Sequence, residues 1–325
     1  MMERALLLKK ALPVAVGFGL LALVPLAGAS FYTALAMKIM IFAIFALSLE
    51  LMVGQTGLVA FGHAGFFGIG AYVVTLMSPE SQGASMWLTL PAALLAAAAY
   101  AAVVGALSLR TQGVYFIMIT LAFAQMAYFV FHDTPVGGGT DGIYMYFKPE
   151  AVIGGVKLFD LDAGHALYFL VWALLLASFG GLAVLLRSRY GRALAGIKAN
   201  EQRMRAAGYS TFGYKLAAFV LSAMLAALAG YLFALKDGFV NPEILSWHMS
   251  GAVLIMIILG GLGHLRGALL GALAFTLLQE LFQSQAVFGP LAKHWQLMLG
   301  LTIIAFVALM PRGLIGLVTR KAGHE

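Results

Sequence analysis

The 325-residue chain is 62% hydrophobic and 10% charged, with a mean hydropathy of +0.95, a balance that a water-soluble domain could sustain only by exposing very large apolar patches. Its formal charge of +7 is scattered through short segments between apolar runs, which argues against nucleic-acid binding, where a basic stripe with interleaved aromatics is expected. Cysteine is absent, and with it any disulfide framework, thiolate nucleophile or cysteine metal site; no other metal-binding pattern stands out.

Taken in order, Arg4, Lys9 and Lys10 precede an apolar run over 11–28, and the LAGAS that follows it faintly resembles a signal-peptidase site. A retained first span is the preferred reading, because at least eight further apolar segments follow. Candidate spans then run roughly over 32–53, 57–77, 86–109, 113–132, 165–186, 214–236, 249–261, 268–286 and 294–310. The expectation is an all-α, polytopic helical membrane protein of about ten transmembrane helices in one domain, 1–325. Nine spans or a re-entrant pair remain open, since 249–261 is short and GGLGHLRG (260–267) reads as a break. With the N-terminus inside, 15 of the 20 Lys and Arg fall on the cytoplasmic side and four outside, with Lys38 in a span. That bias is the one the positive-inside rule demands, so both termini are expected in the cytoplasm.

The third segment, GQTGLVAFGHAGFFGIGAY (54–72), carries six glycines and a histidine inside an apolar run. Ala60, Ala64 and Gly68 lie four apart and would strip one helix face of bulk, letting another helix approach closely. Glycine equally suits an interrupted helix whose free backbone lines a cavity. His63 is either a hydrogen-bond partner for a neighbouring helix or a functional group at membrane depth. Gln125, Gln279 and Glu280 also lie in apolar runs, whereas Glu50 and Lys38 are close enough to span ends to snorkel or pair. No span contains two carboxylates at helical spacing, which weighs against an ion relay. HExxH, GxSxG and paired carboxylates are missing, which weighs against a membrane enzyme.

Two connections are long. The external one, about 133–164, is Gly-rich and net acidic; its VGGGTDGIYMY (136–146) lacks the Lys and Ser or Thr of a phosphate loop and reads as a tight turn with Asp141 at its edge, a candidate contact for an extracellular partner. The cytoplasmic one, about 187–213, opposes six Arg and Lys with Glu201 alone. Leu194, Ile197, Glu201, Met204 and Gly208 follow helical spacing, with Arg192, Lys198, Arg203 and Arg205 around them. The expected amphipathic helix, ended by Gly208, either lies on anionic lipid or docks a cytoplasmic partner through an apolar ridge with a charged rim.

The segments GLVAFGHAGFFGIGAY, RTQGVYFIMITLAF, GGGTDGI, RSRYGRALAGIKANEQRMRAAGYSTFGYKLAAFVLSAMLAALAG, ILGGLGHLRGALLGA and MPRGLIGL, in this order, cover most of the chain from about Glu50 to Leu317. Together they resemble the permeases of branched-chain amino acid ABC importers, specifically the LivM-like half. The resemblance implies a bacterial inner-membrane permease subunit paired with a homologous LivH-like permease. Two cytoplasmic ATPase subunits would hold the ATP and Mg, and a periplasmic binding protein would deliver the substrate. No cofactor is expected in this chain, and no catalysis. The basic segment then corresponds to the ATPase docking element, carried by Arg192, Glu201, Arg205 and Gly208, and Asp141 becomes the candidate contact for the binding protein. Gln55, His63, Gly65, Gly68, Thr120 and Gln125 are the candidates for the translocation path. Family members often carry a carboxylate where Gln125 stands, serine near Ala60 and Phe61, and serine at Thr140. The cargo therefore stays open between branched-chain amino acids and the urea, short amides, and aromatic or other carboxylates of similar systems. The competing class is an ion-coupled secondary transporter of small polar solutes.

Overall fold

The computed structural model describes residues 16–28, 30–79, 83–153, 156–161 and 165–320. Arg4, Lys9, Lys10, Asp162 and Lys321 lie outside that set. Helices dominate: α1 (Val16–Leu26), α2 (Ser30–Thr56), α3 (His63–Leu76), α4 (Met86–Ser108), α5 (Val114–Asp133), α6 (Ala166–Arg187), α7 (Arg189–Ala199), α8 (Glu201–Ala206), α9 (Thr211–Asp237), α10 (Trp247–Gly260), α11 (Leu265–Gln283), α12 (Gln285–Phe288), α13 (Trp295–Leu309) and α14 (Gly313–Arg320). Among the described residues, seven helical segments are long and apolar enough to cross a membrane, and α1, α3 and α10 are shorter apolar helices. The chain is thus an all-α polytopic membrane protein.

Three helices make the centre. Every residue of α2 from Ile39 to Gly54 is buried, so this helix has no polar stripe because it has neighbours all round, and Ser48 and Glu50 are buried with the rest. Helix α9 packs on both α2 and α3, Phe45 of α2 meets His63 and Phe67 of α3 ring to ring, and α4, α6 and α11 pack around these three. At the periphery, α13 fully buries only Leu299 and half-buries Trp295, Met298, Ile303 and Phe306 against the core, while Leu297, Leu301, Ile304 and Leu309 are exposed.

Small residues set the closest crossings. A side chain at Gly70 would overlap the backbone of Ala227 on α9, and one at Gly230 would overlap the Phe67 carbonyl on α3, so these two backbones touch at reciprocal glycines. The pair α10 and α11 repeats the device, with Gly260 against Gly267 and Gly271 against the Met256 carbonyl. Between them, Gly261 and Gly263 at φ 110° and 87° turn the chain, so GGLGHLRG is indeed a break between two helices.

Three departures from the sequence reading concern the spans and the 133–164 connection. The 57–77 run is helical only from His63: Gly57 at φ 74° ends α2, and 57–62 is irregular, so Ala60 is not on a helix face with Ala64 and Gly68. The long 133–164 connection holds a β2–β3 hairpin (Ala151–Ile153, Val156–Phe159), and its β1 (Ile143–Tyr144) pairs antiparallel with β4 (Phe239–Val240) just after α9. Glu50 neither snorkels nor pairs at a span end; it is fully buried. Lys38 does pair, 3.6 Å from Glu280 on α11.

Candidate functional site

The interrupted segment before α3 is held from outside its own helix. The Phe61 amide donates to Thr120 Oγ1 (3.2 Å), whose hydroxyl donates to the Ile117 carbonyl (2.9 Å), and Gly62 lies so close to the Thr120 carbonyl that a Cβ would overlap it. Two residues on, the Ala64 amide donates to Ser250 Oγ (3.0 Å). The irregular backbone between α2 and α3 is satisfied by the protein's own groups, as it must be wherever lipid could not supply partners.

His63 opens α3 and is fully buried. Its Nε2 lies 2.8 Å from Ser222 Oγ on α9, and Ser222 donates to the Ser48 carbonyl on α2. A hydroxyl has one proton, and that one goes to Ser48, so His63 must donate through Nε2–H. Its Nδ1 is left an acceptor with no partner among the described residues. The ring therefore ties the three central helices together. Gly65 and Gly68 are equally internal: a Cβ at Gly65 would sit 3.4 Å from Ala124 Cα, and one at Gly68 would overlap the Leu245 side chain. Thr120 is buried, whereas Gln55 and Gln125 are half-buried; Gln125 Nε2 has no partner among the described residues.

The basic end is built around Glu201. Its Oε1 accepts from Arg205 Nη2 (2.7 Å) and Thr211 Oγ1 (3.0 Å), its Oε2 accepts from Lys215, and Arg205 Nε closes the ring on Thr211 Oγ1 (2.9 Å). Burial by itself would raise the Glu201 carboxyl, but the bonds from Lys215, Thr211 and Arg205 outweigh it and hold the group below its ordinary value. α8 is thereby fixed to the start of α9. Tyr190 does the same for α7, donating to the Tyr214 carbonyl (2.9 Å); burial, helped by Tyr214, pushes its phenol up to about 12, so it stays a donor.

Instead of one amphipathic helix there are two. Asn200 adopts extended backbone and caps α8 by accepting from the Arg203 amide (2.9 Å), a signal that an asparagine ahead of Glu201 offered in the sequence. The expected apolar ridge faces inward as well: Leu194 and Ile197 are buried against the chain's own helices, because α7 packs on α2, α6 and α9. Outward it leaves Arg192, Gln202, Arg203, Arg205 and Gly208, the last at φ 86° with open space where a side chain would go. Arg205, Glu201 and Gly208 thus share one corner, with Arg192 one helix away. At the opposite end, Asp141 is exposed in a short turn with Thr140 (3.4 Å).

One cluster had no signature in the sequence. Lys198 Nζ, on α7, donates to the Gly54 carbonyl at the end of α2 (2.6 Å), its stem 3.5 Å from where a Cβ on Gly57 would be. Beneath it lies the Glu50 carboxylate, folded against Gly54 and facing Lys198 and the amides of Gly263 and His264 in the α10–α11 break. The start of α14 closes the group, Gly313 lying against Gly260 and Gly261.

A family model described as branched-chain amino acid transport system, permease component, matches residues 31–307. The permease protein LivM of the high-affinity branched-chain amino acid transport system of Salmonella typhimurium is 32% identical over 300 residues, 86% of this chain and 69% of that protein. LivM of Escherichia coli is 32% identical over 295 residues, 85% of this chain and 68% of the relative. The permease protein LivH of the Salmonella typhimurium system is 23% identical over 288 residues, 85% and 91% of the two chains. No solved structure matches the chain.

Proposed function

The chain belongs to the family of permease components of branched-chain amino acid transport systems, and from that premise we propose that it is the LivM-like membrane subunit of an ATP-driven ABC importer for branched-chain or related amino acids. It crosses the inner membrane of a bacterium ten times as a single domain, with both termini and the basic end in the cytoplasm. A homologous LivH-like permease completes the translocation path with it, two cytoplasmic ATPases bind the ATP and Mg, and a periplasmic binding protein docks near Asp141. The chain makes and breaks no covalent bond.

The observation that carries this reading is the basic end. Arg205, Glu201 and Thr211 bind one another while Gly208 leaves open space, giving a rigid corner with a free face attached directly to a central helix. A pushing partner needs such a corner, because alternating access proceeds by rigid-body rocking that must be mechanically connected to the ATPase. Of the path candidates, Gln55 and Gln125 are half-buried and are proposed to face the path directly. His63, Gly65, Gly68 and Thr120 are proposed to shape it from behind, by fixing how α3 sits against α9, α5 and the turn that carries Leu245.

The test is co-purification from native membranes with mass spectrometry, wild type against the double variant Glu201→Arg, Gly208→Leu. Recovery of an ATPase and a second permease with wild type, and loss of the ATPase alone from the variant, is expected. A chain that purifies alone and takes up solute in liposomes without ATP overturns the reading in favour of an ion-coupled transporter.

A further inference from the structure

Glu50 is the least provided-for charge-bearing group among the described residues. It is fully buried, and neither carboxylate oxygen makes a hydrogen bond of normal geometry. A buried carboxylate in that condition is costly and is kept only where something answers it in another arrangement or where its cost is useful. The chain makes room for it deliberately: Gly54, one turn along α2, lacks the Cβ that would overlap the carboxylate. The cation that faces it is Lys198. Yet the Lys198 ammonium is bound one turn away, on the Gly54 carbonyl at 2.6 Å. A neutral acceptor holds the ammonium while the adjacent carboxylate faces two backbone amides and has no cation bonded to it, and a charge-assisted bond to that carboxylate would be the stronger of the two.

The elements that meet here are those a transmission would need. Lys198 belongs to α7, Glu50 and Gly54 to the central α2, and the amides of Gly263 and His264 facing Glu50 belong to the break from which α11 starts. That break is hinge-like, with Gly261 and Gly263 at positive φ and α10 and α11 in backbone contact on either side. α7 itself reaches the basic corner through Asn200 and α8. A displacement of α7 would therefore carry one ammonium between two acceptors one turn apart on α2, which is the kind of bistable element that amplifies a local shift.

We propose that Lys198 is a positioning residue that switches from the Gly54 carbonyl to the Glu50 carboxylate during the transport cycle, so that movement of α7 at the basic end draws α2 and the α10–α11 break with it. The proposal rests on the importer reading above. It assigns Glu50 no contact with cargo and Lys198 no contact with nucleotide.

The experiment uses the whole complex in proteoliposomes, measuring radiolabelled leucine taken up per ATP hydrolysed for wild type, Lys198→Met, Lys198→Arg, Glu50→Gln and the Lys198→Met, Glu50→Gln double variant. Lys198→Met should leave assembly and hydrolysis in place while uptake per ATP falls about tenfold, the scale of one charge-assisted bond. Lys198→Arg should restore much of the ratio, and the double variant should be no worse than either single one, since both break the same contact. Glu50→Gln carries the risk of misfolding, so the Lys198 pair, with its accessible side chain, decides the matter if that variant does not accumulate. Uptake that falls only in proportion to hydrolysis, or a Lys198→Met ratio equal to wild type, overturns the switch and leaves the importer reading standing. Absence of any ATP-dependent uptake by the wild-type complex removes that reading itself.

Discussion

Gly230 in the centre and Gly208 at the basic corner are the same residue used for opposite reasons. Gly230 is helical and has no room: any side chain there meets the Phe67 carbonyl of α3. Gly208 has all the room available and needs glycine for its backbone, at φ 86°. The central bundle is thus fixed by excluded volume, which no side chain can relax, whereas the basic end is fixed by a polar network around Glu201 and by turn conformation. Substitutions should be most damaging in the first region and graded in the second.

The comparison can be broken by mutation. Gly230→Leu, or Gly70→Leu opposite it, should separate α3 from α9 and cost about 3 kcal/mol or more, read as loss of folded protein by size-exclusion fluorescence. A normal profile for either would mean that the bundle can slide apart there. Gly68→Leu, which meets the Leu245 side chain and not backbone, should fold yet lose uptake while still recovering the ATPase; normal uptake would remove Gly68 from the path region. Ser222→Ala leaves both His63 Nε2 and the Ser48 carbonyl without their partner and should cost about 1–2 kcal/mol in thermal unfolding.

At the basic end, Glu201→Gln should lower the thermal midpoint with a defined pH dependence. The Glu201 carboxyl is held below its ordinary 4.5, so its contribution is fully present above that value and is lost as pH falls through the folded value beneath it. The gap between wild type and Glu201→Gln should be constant from pH 8 to about 5 and close on further acidification. A gap that closes towards alkaline pH would mean the carboxylate is not what the network holds. The smallest effect is expected for Gly208→Ala, about 1 kcal/mol of left-handed strain with no loss of contact, visible as a slight drop in ATPase recovery.

Much of this was legible along the chain and some was not. The break at 260–267 could be read because glycines in a row between apolar runs leave a helix little reason to continue. The interruption before His63 could not be placed, because Gly57, Ala60 and Gly62 suit a helix face as well as a turn, and the deciding Thr120 is 59 residues from Phe61. The inward face of α7 was misread because hydrophobic spacing shows that a ridge exists and not which neighbour covers it.

Composition, hydropathy and basic bias are sums over local sequence, and they sufficed for the polytopic helical class, the positions of the apolar segments and the existence of a basic cytoplasmic-type corner. Tertiary structure alone decided that Ser222 answers His63, that Lys38 finds Glu280, and that Lys198 stands between Gly54 and Glu50. The reason is that α2 has scattered polar residues but no polar face: such a helix carries no periodic record of its neighbours, so its partners are chosen by steric fit among helices distant in sequence.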